Sequence, residues 1–149
     1  MYYIDMLLGN KLFMAAVIGW GAAQIIKTII NCVITKSFNP ERLVGSGGMP
    51  SSHSAFVTGL TVSAFINEGP DSPIFAACFV LAFVVMYDAM GVRRETGKQA
   101  ELLNQITEIF SANYDEFDTP EETLKVLVGH TPLQVLFGCL LGAVIGIIV

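Results

Sequence analysis

The stretch IFAACFVLAFVVMYDAM, residues 74–90, contains a single charged residue, Asp88, close to its end. A helix that crosses a bilayer core needs roughly 20 mainly apolar residues, with about 17 as the lower limit. Working outward, three further apolar runs occupy residues 12–34, 51–67 and 132–149. Hydrophobic residues make up 53% of the 149-residue chain and charged residues 14%. An ordinary soluble domain carries about 25% charge. Mean hydropathy is +0.61. These features predict an all-α, multi-pass transmembrane helical bundle of about four spans, one integral membrane domain over residues 1–149. The second span, 51–67, is marginal in length at 17 residues. The net charge of −5 offers no basic surface, so no nucleic-acid partner is expected. Cys32, Cys78 and Cys139 lie in separate apolar runs without zinc or redox spacing, and read as small buried hydrophobes. The N-terminus shows neither a basic leader nor a clear cleavage site, so the first run is expected to stay in place.

Between the third and fourth runs lies a polar section, 91–131. Within it, residues 98–110 place Leu102, Leu103, Ile106, Ile109 and Phe110 on one helical face, an amphipathic helix suited to the membrane interface. The acidic turn at 114–118 reads as a solvated loop. Thr119-Pro120-Glu121-Glu122 and Thr131-Pro132-Leu133-Gln134 both look like helix starts, with a cap, a proline at the first position and a capping-box residue. Six of the eight basic residues, Lys36, Arg42, Arg93, Arg94, Lys98 and Lys125, fall in two loops that share one side of a four-span bundle. The positive-inside rule makes that side cytoplasmic. Gly138, Gly142 and Gly146 form a stripe of small residues on the last span. Such a stripe lets helices approach closely; packing within the chain is the stronger expectation, and a homo-oligomer seam is the alternative.

The polar side chains able to do chemistry gather on the same side. Gly47-Gly48-Met49-Pro50-Ser51-Ser52-His53-Ser54 joins the first two spans. Two glycines let backbone fold closely around a small group, and a helix start offers free N–H groups to an anion. A histidine there can pass a proton or attack phosphorus. Asp88, Arg93 and Arg94 close the third span, and His130 and Gln134 open the fourth. Lys27 stands within the first span, toward the same end. Each has a plain reading beside the functional one. Lys27 can snorkel to the interface, or it can meet a phosphate or Asp88 within the bundle. The arginine pair can anchor the chain, or it can fork a phosphate. Gln134 can serve as a capping-box residue.

Three blocks together, Gly-Gly-Met-Pro-Ser-Ser-His-Ser-Ala (47–55), Tyr-Asp-Ala-Met-Gly-Val-Arg-Arg (87–94) and Gly-His-Thr-Pro-Leu-Gln-Val (129–135), resemble the divergent branch of the type 2 phosphatidic acid phosphatase and vanadium haloperoxidase superfamily. The resemblance spans nearly the whole chain. It implies a helical membrane phosphatase that cleaves a lipid phosphomonoester or diphosphate through a phosphohistidine, with no metal or other cofactor. By that resemblance His130 is the nucleophile and His53 the acid. Ser51, Ser52 and the N–H of Gly48 contact phosphate oxygens, and Arg93 and Arg94 neutralise it with Lys27 as a third cation. The chain departs from the family pattern in two places. Lys36 and Arg42 are one residue short of the usual first-motif spacing and lack the following proline. Gln134 replaces the aspartate that follows the nucleophile, leaving Asp88 as a candidate to orient His130. A headgroup-binding or membrane-assembly protein with the same pocket is the alternative function.

Overall fold

The computed structural model describes residues 1–38, 40, 47–113, 124, 126 and 129–149. They form helices α1 (Tyr2–Leu8), α2 (Lys11–Thr35), α3 (Ser52–Glu68), α4 (Pro73–Met90), α5 (Val92–Asn113) and α6 (Pro132–Ile148). Local chemistry sets their starts, because the first N–H groups of a helix need an outside acceptor. The Asn10 side chain accepts from Phe13 N–H at 3.1 Å. Ser51 Oγ accepts from Ser54 N–H at 3.3 Å, and Ser72 Oγ from Ile74 N–H at 3.1 Å. Thr131 and Gln134 form a reciprocal capping box, with Pro132 in the first turn. α2 stops where Lys36 turns left-handed at φ 51°.

α3 is the hub, packing against α2, α4 and α6. A Cβ added at Gly19 would press on Ala55 and one at Gly59 on Ala15, so α2 and α3 run antiparallel in near backbone contact. Gly142 faces Ala55 and Gly146 faces Gly59, so α6 runs parallel to α3 at the same closeness. The glycine stripe is therefore used inside the chain. The buried apolar side chains are mostly alanines, among them Ala15, Ala23, Ala55 and Ala64. The large ones, such as Phe79, Val80, Phe83 and Val84 of α4, point outward. In water that distribution would be costly. Among lipid chains it is the expected one, because small residues admit helix contact and bulky ones face hydrocarbon.

α2 and the helical run from Pro73 to Ser111 are long and apolar enough to cross a membrane. α3 and α6 have 17 residues each, or about 26 Å of helix. The amphipathic helix begins earlier than residue 98. It continues α4 after a break at Gly91, so Arg93 and Arg94 sit in its first turn. Leu102, Leu103, Ile106, Ile109 and Phe110 are exposed along it. Arg42, Lys125, the acidic turn at 114–118 and the cap at 119–122 lie outside the described residues.

Candidate functional site

Four segments converge at one end of the bundle. Ser51 N–H donates to the Gln134 carbonyl at 2.9 Å, tying the loop before α3 to the first turn of α6. His130 N–H donates to the Ala89 carbonyl at 3.0 Å, docking the segment before α6 on the end of α4. Gly129 lies against the backbone of Arg93 and Arg94, where any side chain would overlap main-chain atoms. Gly47 and Gly48 adopt φ of 85° and 82°, a left-handed conformation that favours glycine. At Gly48 an added Cβ would come within 3.0 Å of Lys27 Cδ, so the lysine stem packs directly on the loop.

His130 is 1% exposed, and its orientation follows from one hydrogen-bond argument. Gln134 Oε1 lies 3.1 Å from Thr131 N and 3.1 Å from His130 Nδ1. A backbone N–H can only donate, so the amide atom facing it must be the oxygen. That oxygen accepts from Nδ1 as well, which puts the ring proton on Nδ1 and leaves the lone pair on Nε2. Nε2 is buried without a hydrogen-bond partner among the described residues. Buried polar atoms are rarely left unpaired outside functional sites. Gln134 thus serves as capping residue and as orienter of His130 together.

Burial pushes the His130 imidazole below its ordinary value of 6.5. Its hydrogen bond to Gln134 pulls the other way, and the charges of Lys27 and Arg93 add to the depression. The folded chain then holds fewer protons than the unfolded chain just below pH 6.5. This group therefore takes stability away as pH falls from 6.5 toward its folded value, and has no effect above. Only two histidines are present, so ¹³C-histidine NMR resolves both. The His130 ring is expected to titrate below 6.5, and a midpoint above that value would refute the account. Replacing Gln134 with Leu should lower that midpoint further, because the hydrogen bond that favours the protonated ring is lost. Gln134→Glu keeps the acceptor and adds charge, so it should raise the midpoint.

The other candidate residues divide by position. His53, in the first turn of α3, stands edge-to-face with His130 at a ring-centroid separation of 5.9 Å. Its Nδ1 is also buried without a partner among the described residues. Lys27 is 2% exposed, inside the bundle rather than snorkelling outward. Lys27 and Arg93 lie close enough to both rings to act on their charge. Asp88 accepts from Arg93 Nε at 2.6 Å and not from His130, so it positions the guanidinium while Gln134 holds the ring. Arg94 neighbours Glu95, and its backbone supports Gly129. Ser51 is fully buried, its hydroxyl accepting from Ser54 N–H and Oγ. The Ser52 side chain makes no hydrogen bond among the described residues and lies at the α3 start beside His53. No cluster of three His, Cys, Asp or Glu side chains among the described residues is placed to hold a metal ion.

One residue that chain position did not single out belongs with this group. Gln24 is 4% exposed, one turn before Lys27 on the buried side of α2, and its Oε1 lacks a partner among the described residues. The available signal was an amide three residues from Lys27 within an apolar run.

The arrangement brings two unpaired imidazole nitrogens, two cations and a helix start to one place. That combination suits a tetrahedral oxyanion. Comparison with known proteins agrees with the helical membrane setting. A protein of Bacillus subtilis (strain 168), called "Uncharacterized membrane protein YuiD", is 37% identical over 134 residues, covering 85% of each chain. No solved structure matches significantly. Residues 8–145 match the family described as "Divergent PAP2 family", and the chain belongs to it.

Proposed function

We propose that the protein is a membrane-embedded phosphatase acting on a lipid phosphomonoester or diphosphate through a phosphohistidine at His130. The observation that carries this reading is the buried, unpartnered Nε2 of His130, on a ring held through Nδ1 by Gln134 and faced by the His53 ring. The Nε2 lone pair attacks phosphorus, forming the N–P bond while the P–O bond to the lipid breaks. His53 gives its proton to the departing oxygen. Water then attacks the phosphohistidine, His53 takes a proton from that water, and inorganic phosphate leaves with Nε2 restored. Lys27, Arg93 and the N–H groups of Ser52 and His53 at the α3 start offset the charge on the phosphoryl oxygens, so catalysis rests on position and electrostatics. α2, α3, α4 and α6 are read as four crossings, with the site at the cytoplasmic leaflet because the basic residues collect there.

A second reading is supported by Gln134, which fixes the ring without the negative charge that a carboxylate would supply. In that reading the pocket holds a phosphate headgroup and does not turn it over. Purified protein with ³²P-phosphatidic acid separates the two. Phosphate release with an acid-labile label on the protein is expected from the phosphatase, and tight binding without release would overturn it.

A further inference from the structure

An open apolar groove of about 360 Å³ runs beside the candidate site. Its walls are Ile26 and Ile30 of α2, Met49 and Pro50 of the loop, and the Phe137–Val144 face of α6, and every lining residue is apolar. Its place in the chain ties it to the polar cluster. Ile26 precedes the buried Lys27, and Pro50 precedes Ser51, Ser52 and His53. From Phe137 to Val144 the helix advances about 10 Å. α6 starts at the site and runs parallel to α3, so this advance leads away from the polar end and along the bundle. The groove thus lies beside the loop and helix ends that carry the polar cluster and extends along the bundle, in the direction of a lipid tail.

We propose that this groove holds one hydrocarbon chain of the lipid whose phosphate enters the site. The proposal rests on the phosphate-binding reading above. Bilayer hydrocarbon is as apolar as the groove, so seating the chain gains little hydrophobic free energy. What it contributes is position. A tail lying against α6 holds the phosphate at the loop end, near His130 Nε2, where small displacements lower rates strongly. The site then selects phosphates that carry a long chain over the same headgroup without one.

The test uses the full chain in detergent micelles with phosphatidic acid carrying a diazirine in one acyl chain. Photolabel is expected on the Phe137–Val144 face or on Ile26 and Ile30. It should exceed by about tenfold that from diacylglycerol with the same chains, since a phosphate anchor worth about 1.4 kcal/mol corresponds to that ratio. Leu140→Trp combined with Val144→Trp fills the groove and should abolish the label. Both positions are 54% exposed, so the fold should tolerate the change, and Phe79→Trp on the outer face of α4 is the control. Equal labelling by diacylglycerol, or label spread over α4, would overturn the groove assignment. Phosphate release measured on the same sample keeps the two proposals apart. Turnover with scattered label sinks the groove alone, and localised label without turnover sinks the phosphatase chemistry alone.

Discussion

His130→Ala is expected to lower phosphate release from phosphatidic acid by at least about 10³-fold, because removal of a covalent nucleophile leaves only binding and electrostatics. The acid-labile phosphoryl label on the protein should vanish with it. His53→Asn should behave differently. Loss of a general acid costs about 10²–10⁴-fold with a poor alkoxide leaving group. In the first step it should cost far less with p-nitrophenyl phosphate, read as the burst of p-nitrophenol, because that leaving group needs no proton, whereas hydrolysis of the phosphohistidine slows with either substrate. The contrast follows from geometry: His130 alone has its Nδ1 proton fixed by Gln134 and its Nε2 lone pair bare. Full activity in His130→Ala, at unchanged thermal stability, would end the nucleophile assignment. A variant that still binds phosphatidic acid while the wild type releases no phosphate would favour the headgroup-binding reading.

Gly142→Ala is expected to destabilise the bundle more than any single change at the outer surface. An added Cβ would stand 2.5 Å from the Ala55 carbonyl oxygen and 3.0 Å from both Ala55 Cα and Gly59 N. All three are main-chain atoms of α3, which cannot rotate aside as a side chain can. The helices must separate, and overpacking of that kind costs about 1–3 kcal/mol or more. Gly21→Ala makes the matched control, since an added Cβ there meets nothing within 4 Å. That change should be neutral or slightly stabilising, because alanine is the better helix former. Thermal unfolding of both variants in one detergent checks the pair. Equal melting temperatures would show that the α3–α6 contact does not carry the fold.

The same contact links stability to the site. Gly138 sits on Ser51 and Ser54, one turn before Gly142, so α6 helps hold the α3 start where His53 stands. Loosening α6 would also move His130 and Gln134, which precede and open it. Gly142→Ala is therefore expected to lower turnover along with the melting temperature.

Much of this was legible in the chain because the rules involved are local. Apolar runs of about the length a bilayer needs identify helices whatever they pack against. Thr131, Pro132 and Gln134 mark a helix start because a side-chain oxygen satisfies N–H groups within three residues. The spacing of Gly138, Gly142 and Gly146 announces a close helix contact. The amphipathic helix was legible in type but not in extent, since polar residues in its first turns hid its continuity with α4.

Partner choice required the third dimension. Chain position pointed to Asp88 as the group that orients His130 and to Gln134 as a capping residue, yet both have the hydrogen-bonding atoms to hold the ring. Only the fold shows Asp88 turned to Arg93 and Gln134 turned to the ring. Whether two chain-distant histidines stand 5.9 Å apart, and which of two adjacent arginines acts on them, depends on how α3, α4 and α6 are docked. By itself the sequence determined the helical membrane class, the helix starts and the family, because each is written in neighbouring residues. The tertiary structure alone decided the facing of the two rings, the cation beside them and the groove, because contacts between distant segments depend on packing that no local pattern encodes.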